Sequence, residues 1–154
     1  MININTLRLG NLLYFSDPDN NVKNAVATVK GIEDDDMVKF EATNVKDESS
    51  ETRVSISTNQ VSGWGNSDQF DSIPLDESWL EKLGFANEDN ESWFWSYDFD
   101  DAQETFEVFA LTAGGKPLGL WSIVRCPPLT KKIEFIHQLQ NVFNSLTGLE
   151  LKIK

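Results

Sequence analysis

With 154 residues, 40% of them hydrophobic and 25% charged, the chain fits one domain of ordinary size or two very small ones, and it can bury a core without metal or disulfide staples. Ten Phe and five Trp exclude a disordered acidic tail, the lone Cys126 excludes an internal disulfide, and no apolar run approaches the ~20 residues that span a bilayer. Charge is uneven: residues 1–110 hold 23 Asp/Glu against 7 Lys/Arg, a net of −16, while residues 111–154 hold 2 against 6, a net of +4, within a total of −12. Such a split bears on solubility and partner choice rather than on fold, and it points to basic partners. No basic segment followed by an apolar run opens the chain, so a soluble, intracellular protein is expected.

In chain order, residues 7–15 (LRLGNLLYF) read as a turn at Gly10-Asn11 feeding a strand, and Ser16 to Asn21 as a loop of turn-forming residues. Residues 22–30, 37–43 and 52–58 lean towards strands, with Gly31 to Asp36 as a connection and Gly63, Gly65 and Asn66 punctuating a loop. That spacing predicts a small antiparallel barrel, of SH3-like size, or a curled sheet over residues 1–66. Asp76 reads as the N-cap of a short helix over 76–83, with Trp79, Leu80 and Leu83 on one face, Gly84 as terminator and Phe85 closing the end. Residues 92–99, 105–111 and 117–124 predict a three-stranded meander with Gly114-Gly115 as a hairpin turn. Pro127-Pro128 stops the last strand, and Thr130 can cap a helix over 130–146 whose Phe135, Ile136, Leu139, Val142, Phe143 and Leu146 form a core-facing stripe. Alternation of Leu149, Leu151 and Ile153 predicts a final strand. The fold class is therefore α+β: a small N-terminal antiparallel β barrel or curled sheet (1–66), then an antiparallel sheet packed by one C-terminal helix (67–154), as two units or one continuous domain.

Three segments together, LRLGNLLYF (7–15), SIPLDESWLEKLGF (72–85) and IHQLQNVFNSLTGLEL (136–151), resemble an uncharacterised family of small bacterial and phage-borne proteins. In that family a lrIGNlV opening, a PIPLTeewLlkfGF centre and a vHQLQNlyfaLTGeEL close recur in the same order. The resemblance implies a lineage associated with mobile elements and no particular chemistry. Acidic loops at 33–36, 47–51 and 87–91 fall between the shared segments.

On the predicted C-terminal helix, His137, Gln140, Asn141 and Asn144 form a stripe of uncharged polar groups, where a solvated face would carry Lys and Glu. Fixed donors and acceptors suit a semi-buried surface, against the protein's own sheet or against a partner; the internal role is favoured about threefold on the general habit of buried polar groups. His137 as a general base needs a nucleophile or an orienting carboxylate, and no spaced partner is present. Asp17 to Asn21 begins like a calcium loop but has Val22 at the glycine position and Thr28 at that of the bidentate Glu. Asp34, Asp35 and Asp36 are consecutive, and Asp98, Asp100 and Asp101 nearly so, which reads as solvated loop acid rather than a metal site. Trp93, Trp95, Tyr97 and Phe99 share one strand face amid acids that would repel phosphate, so core packing outranks base stacking. Lys131 and Lys132 fall in the first turn of the predicted helix, against its dipole. Cys126 lacks a group that would lower its pKa.

These readings lead to a non-enzymatic acidic binding protein of a phage or mobile element. It would engage a basic host or phage protein that handles nucleic acid, as inhibitor or accessory factor, through Asp34, Asp35, Asp36, Asp98, Asp100, Asp101, His137, Gln140, Asn141 and Asn144. No cofactor, metal, membrane or direct nucleic-acid contact is expected, and oligomeric state is open. The alternatives are a metal-dependent hydrolase built on the Asp clusters and a virion or assembly component.

Overall fold

Phe15, Phe40 and Phe70 come from three strands and meet in one cluster, Phe15 lying 4.2 Å from Phe40 and 5.3 Å from Phe70 between ring centroids. They sit in the first of two units, Met1–Ile73 and Pro74–Lys154, into which the chain divides. The computed structural model describes residues 2–20, 22–33, 37–43, 61–87, 94–99, 105–113, 116–123 and 132–154. The expected strand at 52–58 and the Gly114-Gly115 turn lie outside them.

The first unit is a five-stranded antiparallel sheet: β1 (Leu12–Asp17), β2 (Val22–Glu33), β3 (Met37–Thr43), β4 (Val61–Asn66) and β5 (Phe70–Ser72), in the order β4-β3-β2-β1-β5. Leu13 and Phe15 alternate inward from β1 and meet Ala25, Ala27 and Val29 of β2 and Val38, Phe40 and Ala42 of β3, all buried. Ahead of β1, Gly10 has a φ of 88°, a left-handed conformation that glycine adopts without a Cβ clash. The buried Asn11 closes that turn by accepting the Arg8 N–H on its side-chain oxygen at 2.7 Å. Two edges, β4 and β5, have no pairing to each other among the described residues, so the sheet is open there.

The glycines expected to mark a loop at 63–66 instead lie in β4, which pairs with β3 from Met37↔Asn66 to Ala42↔Val61. For Gly65 packing is the better explanation than turn chemistry. A Cβ on Gly65 would stand 2.9 Å from the ring of Phe70, so glycine there makes room for the aromatic cluster. A single 3-10 turn, Ser67–Gln69, then carries the chain to β5, its Gln69 side chain accepting the Asn66 N–H at 2.9 Å.

In the second unit, helix α1 (Glu77–Lys82) starts where Asp76 accepts the Trp79 N–H at 2.9 Å. It ends in a Schellman pair: Gly84 donates to Glu81 and Phe85 to Leu80, with Gly84 at φ 90° and Phe85 buried. Strands β6 (Phe94–Asp98), β7 (Thr105–Ala113) and β8 (Lys116–Ile123) form the expected meander. Both outer strands are capped at one rung: Ala86 exchanges two backbone hydrogen bonds with Ser96, and Ile133 two with Trp121.

Helix α2 (Ile136–Thr147) packs on this sheet through Phe143, whose ring lies 5.0 Å from Phe106 and 5.2 Å from Tyr97. The helix begins at Ile136 rather than near 130, because Ile133 and Phe135 are held extended by bridges to Trp121 and Pro74. Lys132 accordingly precedes the helix, and the unfavourable dipole contact expected of it does not arise; Thr130 and Lys131 lie outside the described residues. Leu146, expected in the core, is 46% exposed. Nor do residues 149–153 form a strand: they run without a ladder, although Leu151 is buried. Among the described residues no helix is long and apolar enough to cross a membrane.

Two substitutions check this packing by urea unfolding. Phe143→Ala is expected to destabilise the second unit by about 3–5 kcal/mol through the cavity left among the rings. Gly65→Val should cost about 1–3 kcal/mol by overpacking against Phe70 in the first unit.

Candidate functional site

The polar stripe on α2 is the best-defined candidate, and most of its groups have partners within the second unit. Gln138 accepts the Glu134 N–H at 2.9 Å on its side-chain oxygen and so closes the start of the helix. Gln140, 3% exposed, donates from its side-chain amide to the Leu151 carbonyl at 2.9 Å. One turn on, the Asn144 amide donates to the Leu149 carbonyl at 3.1 Å and to the Glu150 carboxylate at 3.0 Å. Asn141 is half-buried, and its carbonyl accepts the Ser145 hydroxyl at 2.7 Å. Gly148, at φ 72°, reverses the chain between helix and tail, which lets the two amides reach back along residues 149–151. The tail finishes at Lys154, whose N–H donates to the Lys82 carbonyl and whose ammonium lies 4.8 Å from the Tyr97 ring centre.

His137 is 3% exposed and stacks on Phe135, with ring centroids 5.9 Å apart. Its Nδ1 has no hydrogen-bond partner among the described residues. Burial lowers its pKa, because the charged imidazolium would lose its hydration without gaining a counter-charge. Among the described residues no three His, Cys, Asp or Glu side chains are grouped to hold a metal ion.

Of the acidic candidates, Asp98 is exposed at the end of β6, and Asp34, Asp35, Asp36, Asp100 and Asp101 lie outside the described residues. None of the described Asp or Glu side chains is buried. Placing the charges on the two units changes their meaning. Residues 1–73 carry 12 acids and 6 bases, and residues 74–154 carry 13 and 7, so each unit has a net charge of −6. The asymmetry lies inside the second unit, where residues 76–107 hold 11 acids and 1 base.

Two surface features escaped the sequence reading. Trp64, 44% exposed on β4, reaches across β3 to within 3.4 Å of where a Gly31 Cβ would stand, and Lys39 flanks its ring at 5.9 Å. In the second unit, Leu75, Asp76, Glu77, Ser78, Gly119 and Trp121 line an open groove of about 350 Å³. Its wall is fixed by the Trp121 indole N–H, which donates to the Leu75 carbonyl at 3.0 Å across 46 residues of sequence. Such a long-range pair leaves no local pattern; the glycine at 119, interrupting a strand, was its only trace. The aromatic run resolves as core: Trp95 is buried, and Tyr97 and Phe99 pack on Phe143, while Trp93 lies outside the described residues.

Compared with protein-family models, with curated proteins and with solved structures, the chain finds no match.

The stripe yields two expectations. Gln140→Leu should cost about 1–3 kcal/mol, because the buried Leu151 carbonyl loses its donor, as thermal unfolding would register. The unfolded chain protonates His137 below about pH 6.5 while the folded chain resists, so its contribution makes stability fall with decreasing pH, by at most about 1.4 kcal/mol per unit. Urea unfolding of wild type and His137→Gln between about pH 5 and 7 checks this: the variant should lose that part of the slope.

Proposed function

We propose that the protein is a non-enzymatic binding protein that uses its acidic surface to engage a basic, nucleic-acid-handling protein in a bacterial cytoplasm, as an inhibitor or accessory factor of a phage or mobile element. The observation that carries this reading is a net charge of −12 borne on carboxylates none of which, among those described, is buried. Charges left at the surface project a field to about a Debye length, about 10 Å at 0.1 M salt, and steer association with an oppositely charged partner. The mobile-element lineage rests on the likeness of the segments at 7–15, 72–85 and 136–151. A finer reading of the first unit as an SH3-like barrel is supported by its strand order and by the 3-10 turn between β4 and β5; that likeness is one of fold and supplies no activity by itself.

The test is capture from bacterial extract on the tagged protein at low and high salt, with mass spectrometry of the retained proteins. One basic nucleic-acid-handling protein, held at low salt and released at high salt, is the expected result. Reversal of Asp34, Asp35 and Asp36 to Lys should weaken that capture while leaving the circular-dichroism melt unchanged. Retention that ignores salt would overturn the electrostatic reading.

A further inference from the structure

From the edges of the two sheets we infer that β4 pairs with the β4 of a second copy of this chain, antiparallel and about a two-fold axis, joining two five-stranded sheets edge to edge. Proteins guard exposed strand edges by shortness, charge, proline, bulges or a covering segment. Three of the four described edges are guarded in this way. Strand β5 is three residues long and carries Asp71. Strands β6 and β8 are bridged by Ala86 and Ile133 and carry Asp98 and Lys116. The fourth edge, β4, has six residues, VSGWGN, without charge or proline, and pairs with β3 without a bulge from Met37↔Asn66 to Ala42↔Val61. Ser62, Trp64 and Asn66 are all exposed along it.

Charge selects the occupant. Each copy carries a net charge of −12, so two copies repel unless they meet where no carboxylates face each other. Alone among the eight described strands, β4 has no charged residue. Two such strands set antiparallel place no like charges opposite one another. The joint is self-complementary and closes at two subunits.

The strand is also prepared for a neighbour. Trp64, 44% exposed near its middle, shares one row across three strands with Lys39 and Gly31. A Cβ on Gly31 would stand 3.4 Å from the Trp64 ring carbon Cη2 and 3.1 Å from the Lys39 Cβ, so glycine there lets the indole lean over β3. Lys39 steadies it, with the ammonium 5.9 Å from the ring centre. That lean leaves the main-chain edge of β4 clear, while the exposed ring stays beside the row that an added strand would occupy. On the other face, a Cβ built on Gly63 would meet nothing within 4 Å, so the strand is not crowded there.

The experiment is sedimentation velocity of the full chain from micromolar to millimolar concentration at low and high salt, with amide hydrogen exchange at both ends of the concentration range. A dimer is expected that holds or tightens as salt rises, because salt screens the repulsion between two acidic copies. This is the opposite sign from the salt-released capture proposed above, so the two readings fail separately. Those amides of residues 61–66 that are not bonded to β3 should exchange more slowly as the dimer forms. Trp64→Lys and Trp64→Glu should each weaken the dimer at least about tenfold by setting like charges across the joint, and an equal mixture of the two should restore it. A monomer at every concentration, a dimer that dissolves at high salt, or a dimer that both variants keep would overturn the proposal. So would outward amides of 61–66 already protected in the monomer, since another segment of the same chain would then hold that edge. Sedimentation and exchange are recorded on the unaltered protein and decide the matter even where a Trp64 variant perturbs folding.

Discussion

The second unit depends on one seat, that of Phe143. Its ring meets Tyr97, Phe99 and Phe106, so a single side chain of α2 gathers one outer strand, β6, and the central strand, β7, against the helix. Offset and edge-on ring contacts of this sort add to simple burial. Once Phe143 is seated, the rotation of α2 is set: Ile136 and Leu139 face the core, and Gln140 and Asn144 face the tail. The tail in turn returns Lys154 to the end of α1 and to Tyr97, so helix, strand and terminus close on one another.

This arrangement explains what the segments at 7–15, 72–85 and 136–151 do. Asn11 closes the turn before β1, Asp76 and Gly84 begin and end α1, Gln138 caps α2, and Gln140 and Asn144 hold residues 149–151. These are turn, cap and tether roles, met by particular atoms at particular spacings.

Much of the architecture was legible because its signals are local. Asp76 and Gly84 bound a helix by capping chemistry alone, and the meander follows from alternating aromatics at 94–99 and 105–111. What was not legible depends on distant atoms. Gly65 looks like part of a turn until Phe70 is in place; Leu149, Leu151 and Ile153 alternate like a strand, yet the segment is held by side-chain amides and not by a ladder. Phe135 fits a helical stripe, and Ile133 falls within the expected helix, but the two are drawn extended by bridges to Pro74 and Trp121. For the site, residue types indicated that the stripe of α2 was semi-buried, whereas the groove at Leu75 and Trp121 exists only through a contact spanning the unit.

The bridges at Ala86 and Ile133 have one more consequence. A three-stranded sheet ordinarily offers two rows of backbone donors and acceptors to any extended peptide, the commonest route to strand addition and to accidental aggregation. Here Ser96, at the middle of one outer strand, and Trp121, near the end of the other, are each occupied by a residue of the same chain. An extended guest would find its ladder interrupted at one rung on either side. A strand added to either edge would have to displace one of these bridges.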